Sequence, residues 1–246
     1  MRIAIMQPTY LPWMGYFDLI DRTDQFVFLD DVQFDHRSWQ QRNRIKTSSG
    51  ELMLTVPVLQ KKKFEQEIRD VQTNSTAKWL KKHLISIERN YQKAPFFGVL
   101  FPLLKATYEK HSLSLLPLNT ELIRCFSDFL GIKTNFLLSS TLNTEGQKAE
   151  KLFQICEKLG ATEYLSPVGS FNYIEENNLF PANNIQLYYQ HFEHPTYSQL
   201  YGDFLPYMSI VDLLFNEGAE KGLEILRSGQ KLFYTHEEVR INTPKH

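Results

Sequence analysis

The sequence predicts a three-layer α/β fold, a mostly parallel, Rossmann-like sheet with a helical insertion. Two observations lead there. Short apolar runs of strand length recur at Ile3–Met6, Phe26–Leu29, Thr134–Ser139, Thr162–Leu165 and Ile185–Tyr189, and helical patterns lie between them. A stretch from about 75 to 130 is helical throughout and sits between two strand–helix–strand units. The expected organisation is therefore one α/β domain over 1–246, with the helical segment inserted between its two βαβ parts.

The first unit opens with the strand Ile3–Met6. It runs into Gln7-Pro8-Thr9-Tyr10-Leu11-Pro12, where two prolines forbid both helix and continued sheet. Gly15–Arg22 reads as a short helix, with Phe17, Leu19 and Ile20 apolar, and Phe26–Leu29 is the second strand, ending in Asp30-Asp31. Leu52–Val58 alternates well enough for another strand, and Lys61-Lys62-Lys63 after it reads as a solvated turn. Thr76–Tyr91 carries Trp79, Leu80, His83, Leu84 and Ile87 at helical spacing, and helical material continues over 95–110. Asn119 is placed to N-cap a helix ending at Leu130, with Gly131 as its C′ residue. The second unit follows: the strand Thr134–Ser139, a helix over Gln147–Leu159 closed by Gly160, and the strand Thr162–Leu165 meeting Ser166-Pro167-Val168-Gly169. Ile185–Tyr189 is the last strand, and helices over Met208–Phe215 and Ala219–Leu226 close the fold.

Composition narrows the function. Lys plus Arg is 27 against 28 Asp plus Glu, a net charge of −1, which lacks the positive field of a general nucleic-acid binder. Cys125 and Cys156 are far apart, with no CxxC, and read as small buried hydrophobes; no metal site is expected. No run approaches the roughly 20 apolar residues of a bilayer span, and the N-terminus lacks a signal-peptide pattern, so a cytoplasmic protein is expected.

In an open parallel sheet, ligands gather at the carboxyl ends of the strands. The loop Gln7–Tyr16 is too aromatic for a plain connector, and Gly15 would let a ligand approach a helix N-terminus. Asp30-Asp31 is followed by Arg42, Arg44 and Lys46, cations able to pair with a carboxylate or hold an anion. The turn Thr141–Lys148 is polar, but its single glycine matches neither phosphate-loop pattern. Ser166–Tyr173 can offer backbone N–H groups, and is not the GxSxG of a serine nucleophile. His191 and His194 flank Phe192-Glu193 and read as packing or hydrogen-bonding residues. The expected pocket is built by Gln7, Tyr10, Trp13, Gly15, Tyr16, Arg42, Asn43, Lys46, Ser166, Gly169 and Tyr173, with Asp30 as candidate base. Alternation along Phe26–Leu29 carries Asp30 toward that pocket and leaves Asp31 wetter. Asp30→Asn is thus expected to abolish activity or ligand binding with stability little changed, and Asp31→Asn to be milder.

These segments together resemble the WbqC-like protein family. The matching stretches are Gln7–Phe17, Asp30–Phe34, Arg42–Ile45, Tyr164–Ser166, His194–Gln199 and Ser209–Gly218, and the likeness spans about residues 2–226. The resemblance implies a role among genes for bacterial surface polysaccharides such as O-antigen. It points to transfer of an acyl or aminoacyl unit, glycine among them, from an activated donor to a sugar or nucleotide-linked sugar. The alternatives are a non-catalytic module that binds a nucleotide sugar or a partner protein, and a nucleotidyl-transferring or adenylate-forming enzyme. That last class is suggested by a remoter likeness to nucleotidylyltransferases and pantothenate synthetases, whose turn is His-x-Gly-His. Here the turn is Trp13-Met14-Gly15-Tyr16, without either histidine. The resemblance names no cofactor and no oligomeric state; the partner it implies is a small-molecule substrate.

Overall fold

The computed structural model describes residues 1–59, 65–175, 179–235 and 237–239, so the Lys61–Lys63 turn lies outside the described residues. The elements in chain order are β1 (Arg2–Met6), α1 (Met14–Asp21), β2 (Gln25–Phe28), β3 (Arg42–Thr47), β4 (Gly50–Thr55), α2 (Trp79–Tyr91), α3 (Phe97–His111) and α4 (Leu115–Leu130). Then come β5 (Asn135–Leu138), α5 (Lys148–Lys158), β6 (Glu163–Ser166), α6 (Phe171–Glu175), α7 (Leu179–Ala182), β7 (Gln186–Tyr189) and α8 (Ile210–Ser228). Five strands form one sheet in the order β5-β2-β1-β6-β7, and each neighbouring pair is parallel. Strands from both βαβ units therefore share the sheet, as their short, doubly apolar runs predict.

A parallel strand is covered on both faces, so its alternate residues enter two different cores. Ala4, Phe26, Phe28 and Leu165 pack with Phe17 and Ile20 of α1, Phe126 of α4 and Leu214 of α8. Ile3, Ile5, Val27 and Tyr164 pack on the other face with Leu152, Ile155 and Cys156 of α5, Ile174 of α6 and Phe180 of α7. Cys156 is buried and Cys125 half-buried, both are free thiols, and burial pushes both pKa values up. Among the described residues no helix is long and apolar enough to cross a membrane.

Several sequence expectations need correction. The run read as Leu52–Val58 is β4, and it pairs with β3 in a separate antiparallel sheet rather than joining the main one. β3 escaped notice because its Arg42, Arg44 and Lys46 read as a cation cluster; they are the alternate residues of a strand. Asn119 does not cap α4. The helix starts at Leu115, with Pro117 in its first turn, and Asn119 lies inside it, fully buried. The two closing helices are both present within Ile210–Ser228 and are separated by a kink at Gly218 (φ 75°), where a Cβ would sit 2.6 Å from the Phe96 ring. Gly131 does end α4 in the left-handed conformation, at φ 78°.

One buried carboxylate has a pH signature. Asp18 of α1 is 0% exposed and accepts from Gln190 Nε2 at 2.6 Å, with Arg22 Nη1 at 3.8 Å; its other oxygen has no hydrogen-bond partner among the described residues. Burial raises its pKa from 3.8 to about 6. A carboxyl whose folded pKa is raised stabilises the fold when protonated, and that contribution is lost as pH rises through about 6. Asp18→Asn removes this cost. Its melting temperature relative to wild type should rise between about pH 4 and 7.5, with a gain of at most about 3 kcal/mol at the upper end, measured by thermal denaturation across that range.

Candidate functional site

The strand order reverses between β1 and β6, because the chain leaves β1 toward one face of the sheet and β6 toward the other. A crevice opens outside the carboxyl ends of strands at such a point. A cavity of about 460 Å³ lies there, lined by Gln7 and Thr9 after β1, Pro167, Gly169 and Ser170 after β6, and Asp35, Ser38, Trp39 and Gln40 from the loop before β3. A second cavity of about 270 Å³ adjoins it, sharing Met6, Thr9 and Trp39 as common wall. Its other walls are Pro12, Trp13, Tyr16, Asn43, Arg44 and Tyr207.

The two lobes differ in chemistry. The larger has a mixed lining: Ile5, Met6, Leu29 and Leu152 stand beside the amides of Gln7 and Gln40 and the hydroxyls of Thr9, Ser38 and Ser170, with Asp35 as its one charged side chain. Gln40 donates from Nε2 to Gln7 Oε1 at 2.8 Å, and its own Oε1 accepts the Asp35 backbone N–H at 3.1 Å. The Asp35 carboxylate has no hydrogen-bond or ion-pair partner among the described residues. Ser170 Oγ donates to the Pro167 carbonyl at 2.6 Å and shares a bond of 2.5 Å with Ser166 Oγ, so it faces no base. The smaller lobe is aromatic. Trp39 is 50% exposed and Tyr207 is 49% exposed, and the Trp13 indole packs edge-on to Tyr207 with ring centroids 5.3 Å apart. Arg44 is the cation of this lobe, with its guanidinium 5.8 Å from the Trp39 ring, and it is already engaged by Glu51 at 2.8 Å and by the Tyr207 carbonyl at 3.3 Å.

Of the residues expected to build the pocket, Gln7, Trp13, Tyr16, Asn43 and Gly169 line one lobe or the other. Gly15 stands beside them in a different role. A Cβ on Gly15 would lie 2.2 Å from the Trp13 indole, so the close approach this glycine permits is Trp13 folding over α1. Tyr10 does not reach the cavities; it is 0% exposed, and its hydroxyl bonds His83 Nδ1 at 2.8 Å and Tyr108 under the helical insertion. Burial lowers the His83 pKa to about 4, so that imidazole is a neutral partner at ordinary pH. Lys46 is 2% exposed and directs Nζ to Gln199 Oε1 at 3.0 Å and the Asp203 carbonyl at 2.5 Å, away from both lobes. Ser166 is fully buried beneath the crevice floor. Arg42 lines neither lobe, and the Tyr173 side chain lies outside the described residues.

Asp30 also lies elsewhere than expected. It is 1% exposed and sits on the β5 side of β2, whereas the crevice lies beyond β1 on the other side. Its carboxylate accepts from Ser139 Oγ at 3.0 Å, Ser140 N at 3.0 Å and Ser140 Oγ at 2.7 Å, in place of the expected arginine. Asp31 is less buried and pairs with Lys151 at 2.8 Å. Sequence reasoning named Arg44 as a cation able to hold an anion, but did not nominate Asp35, Ser38, Trp39, Gln40 or Tyr207 as lining. A tryptophan in the polar run Asp35–Gln41 was the available signal for most of them; nothing local marks Tyr207, which arrives from the far end of the chain. Among the described residues no group of three or more His, Cys, Asp or Glu is placed to hold a metal ion. His191 and His194 have separate partners, Tyr234 stacked at 4.0 Å and Trp13 stacked at 5.9 Å.

Comparison with known proteins adds the following. A family model described as the WbqC-like protein family matches residues 7–223. An "Uncharacterized protein Rv1507c" of Mycobacterium tuberculosis is 39% identical over 221 residues, covering 89% of this chain and 95% of that protein. No solved structure matches the chain.

Two substitutions probe this geometry. Gly15→Ala should displace the Trp13 indole and cost about 1–3 kcal/mol in chemical denaturation, whereas Gly98→Ala, in α3 with open space around it, should be neutral or stabilise by up to about 1 kcal/mol. Asp30→Asn places an amide where three donors converge and should cost about 1–3 kcal/mol in the same assay. The network thus replaces the expectation of unchanged stability.

Proposed function

We propose, from the premise that the chain belongs to the WbqC-like protein family, that it transfers an acyl or aminoacyl unit to an amino or hydroxyl group of a sugar or nucleotide-linked sugar in bacterial surface-polysaccharide assembly. The observation that carries this reading is the pair of joined cavities at the reversal point of the parallel sheet, one with amides, hydroxyls and a carboxylate among apolar walls and one aromatic. The amides of Gln7 and Gln40 and the hydroxyls of Thr9, Ser38 and Ser170 suit a polyol, whose hydroxyls both donate and accept. The rings of Trp13, Trp39 and Tyr207 suit a planar base or the apolar face of a sugar ring, with Arg44 at hand for a linked phosphate. The parallel strand order β5-β2-β1-β6-β7 supports reading the sheet as Rossmann-like, which fits this use of the crevice.

In this reading the acceptor's nitrogen or oxygen attacks the carbonyl carbon of an activated acyl donor. Asp35 takes the proton that the acceptor loses, and the donor's leaving group departs with the electron pair of the broken acyl bond. Asp35 has this role rather than Asp30 because it is the carboxylate that lines the cavity and has no partner among the described residues. Asp30, held by Ser139 and Ser140, supports the end of β2. The lining residues include no serine paired with a base, which favours direct attack over a covalent intermediate. The same feature favours the second reading, a module that binds a nucleotide sugar without turnover.

Incubation of the purified protein with thioester and adenylate donors and a panel of nucleotide-linked sugars, read by mass spectrometry, separates the two. Transfer is expected to yield the acylated sugar, with Asp35→Asn lowering turnover by about 100-fold or more and Asp31→Asn leaving it near wild type. Saturable binding with no product across the panel would assign the binding module instead.

A further inference from the structure

We infer that neutral His194 positions Tyr207 as the outer wall of the smaller cavity, and that proton uptake by this imidazole releases that wall. The inference rests on reading the joined cavities as the ligand site.

The segment between β7 and α8 is a long connection without a helix or a strand of its own, a length at which loops commonly serve a site. Most of it is pinned from below. Tyr197 and Gln199 donate to Asp212 Oδ2 at 2.9 and 2.7 Å, and buried Lys46 holds Gln199 and the Asp203 carbonyl. Leu205 N donates to Gln199 Oε1 at 2.9 Å, and Ser209 N donates to the Arg44 carbonyl at 2.9 Å. Tyr207 lies between these anchors in the left-handed conformation, at φ 60°, which a residue with a Cβ adopts only when held there. Two side chains hold its backbone: the Tyr207 N–H donates to His194 Nε2 at 3.1 Å, and Arg44 Nε donates to its carbonyl at 3.3 Å.

The two contacts of His194 fix its tautomer. Nδ1 lies 2.8 Å from the Pro195 carbonyl, which can only accept, so Nδ1 carries the proton; Nε2 faces an N–H, so it presents its lone pair. A second proton has only Nε2 to occupy. There it would point at the Tyr207 N–H and turn the bond into a clash of two donors. Among the described residues no carboxylate forms an ion pair with this imidazole. Trp13, from the start of α1, stacks on the ring at 5.9 Å, and Tyr197, Phe204 and Tyr207 of its own loop complete the packing. The charged groups on neighbouring elements are engaged elsewhere. Glu193 pairs with Lys231 at 3.2 Å and lies 3.8 Å from His191; Asp212 of α8 takes Tyr91, Tyr197 and Gln199; Arg44 of β3 takes Glu51. Burial accordingly lowers the His194 pKa below 6.5.

The test is nitrogen and amide NMR on the full chain without ligand, titrated between about pH 7.5 and 4.5. At the upper end His194 should show the Nδ1–H tautomer. As it titrates, with a midpoint below its ordinary value, Tyr207 amide protection should fall at least about tenfold with the same midpoint, after correction for intrinsic exchange. The Leu205 amide should stay protected. His194→Gln offers an acceptor that does not titrate and should keep Tyr207 protected throughout; His194→Phe keeps a ring on Trp13 but no acceptor and should leave Tyr207 unprotected at every pH. An Nε2–H tautomer, a Tyr207 amide indifferent to the His194 titration, or the same pH response in wild type and His194→Gln would each overturn the inference. Because no ligand is present, failure here leaves the reading of the cavities standing, and absence of sugar binding at neutral pH would overturn that reading alone.

Discussion

The crevice depends on one buried amide. Asn119, in the middle of α4 and 0% exposed, donates both hydrogens of Nδ2, one to the Pro8 carbonyl at 3.1 Å and one to the Gln40 carbonyl at 2.7 Å. Those carbonyls belong to the loop after β1 and the loop before β3, the two segments that carry Gln7, Thr9, Trp39 and Gln40 into the walls. Proline-rich backbone has too few N–H groups to tie itself into a ladder, and a buried carbonyl without a donor is costly. The helical insertion supplies the donor. This is why a helical segment is found between the two halves of an α/β sheet: its inner face is part of the mould for the crevice loops. Tyr10, bonded to His83 and Tyr108 of the same helices, fixes the loop from the side.

The elements of the main sheet were legible because their signal is local. A parallel strand buried on two faces needs a continuous apolar run, and Ile3–Met6 or Phe26–Leu29 can be little else. β3 was illegible for the converse reason. Its Ile45 faces the core while Arg42 and Arg44 face outward, and a strand with a cation at every second position looks like a charge run until its partner β4 is seen. Asn119 was misread for a related reason: an asparagine before an apolar helical pattern matches a cap, and only the distant Pro8 and Gln40 show that it belongs inside.

The site was half legible. Gln7, Trp13, Tyr16 and Asn43 could be placed because they lie in a loop too aromatic, or a segment too polar, to be a connector. Asp30, Lys46 and Ser166 were nominated on chemistry and on their place near strand ends, and neither distinguishes a polar group that serves a ligand from one that serves the fold. Burial does. Asp30 has three donors, Lys46 has oxygen acceptors from the loop before α8, and each is almost fully enclosed. A charge so enclosed must be satisfied internally, and once satisfied it has little left to offer a substrate.

The groups left free are then the informative ones. The Asp35 carboxylate and the Gln7 Nε2 have no partner among the described residues, yet both line the larger lobe. Exposure lets them stand free without penalty, since water satisfies them until a ligand arrives. In the proposed use of the crevice, charge would also sort ligands. The lobe with a carboxylate and no lining cation disfavours an anionic group, and the one lining cation, Arg44, is in the aromatic lobe. In that use a molecule with a neutral or cationic polar end and an anionic or aromatic end would have a single favourable orientation across the two lobes. Orientation follows from the placement of two side chains of opposite charge, on opposite sides of the wall formed by Met6, Thr9 and Trp39.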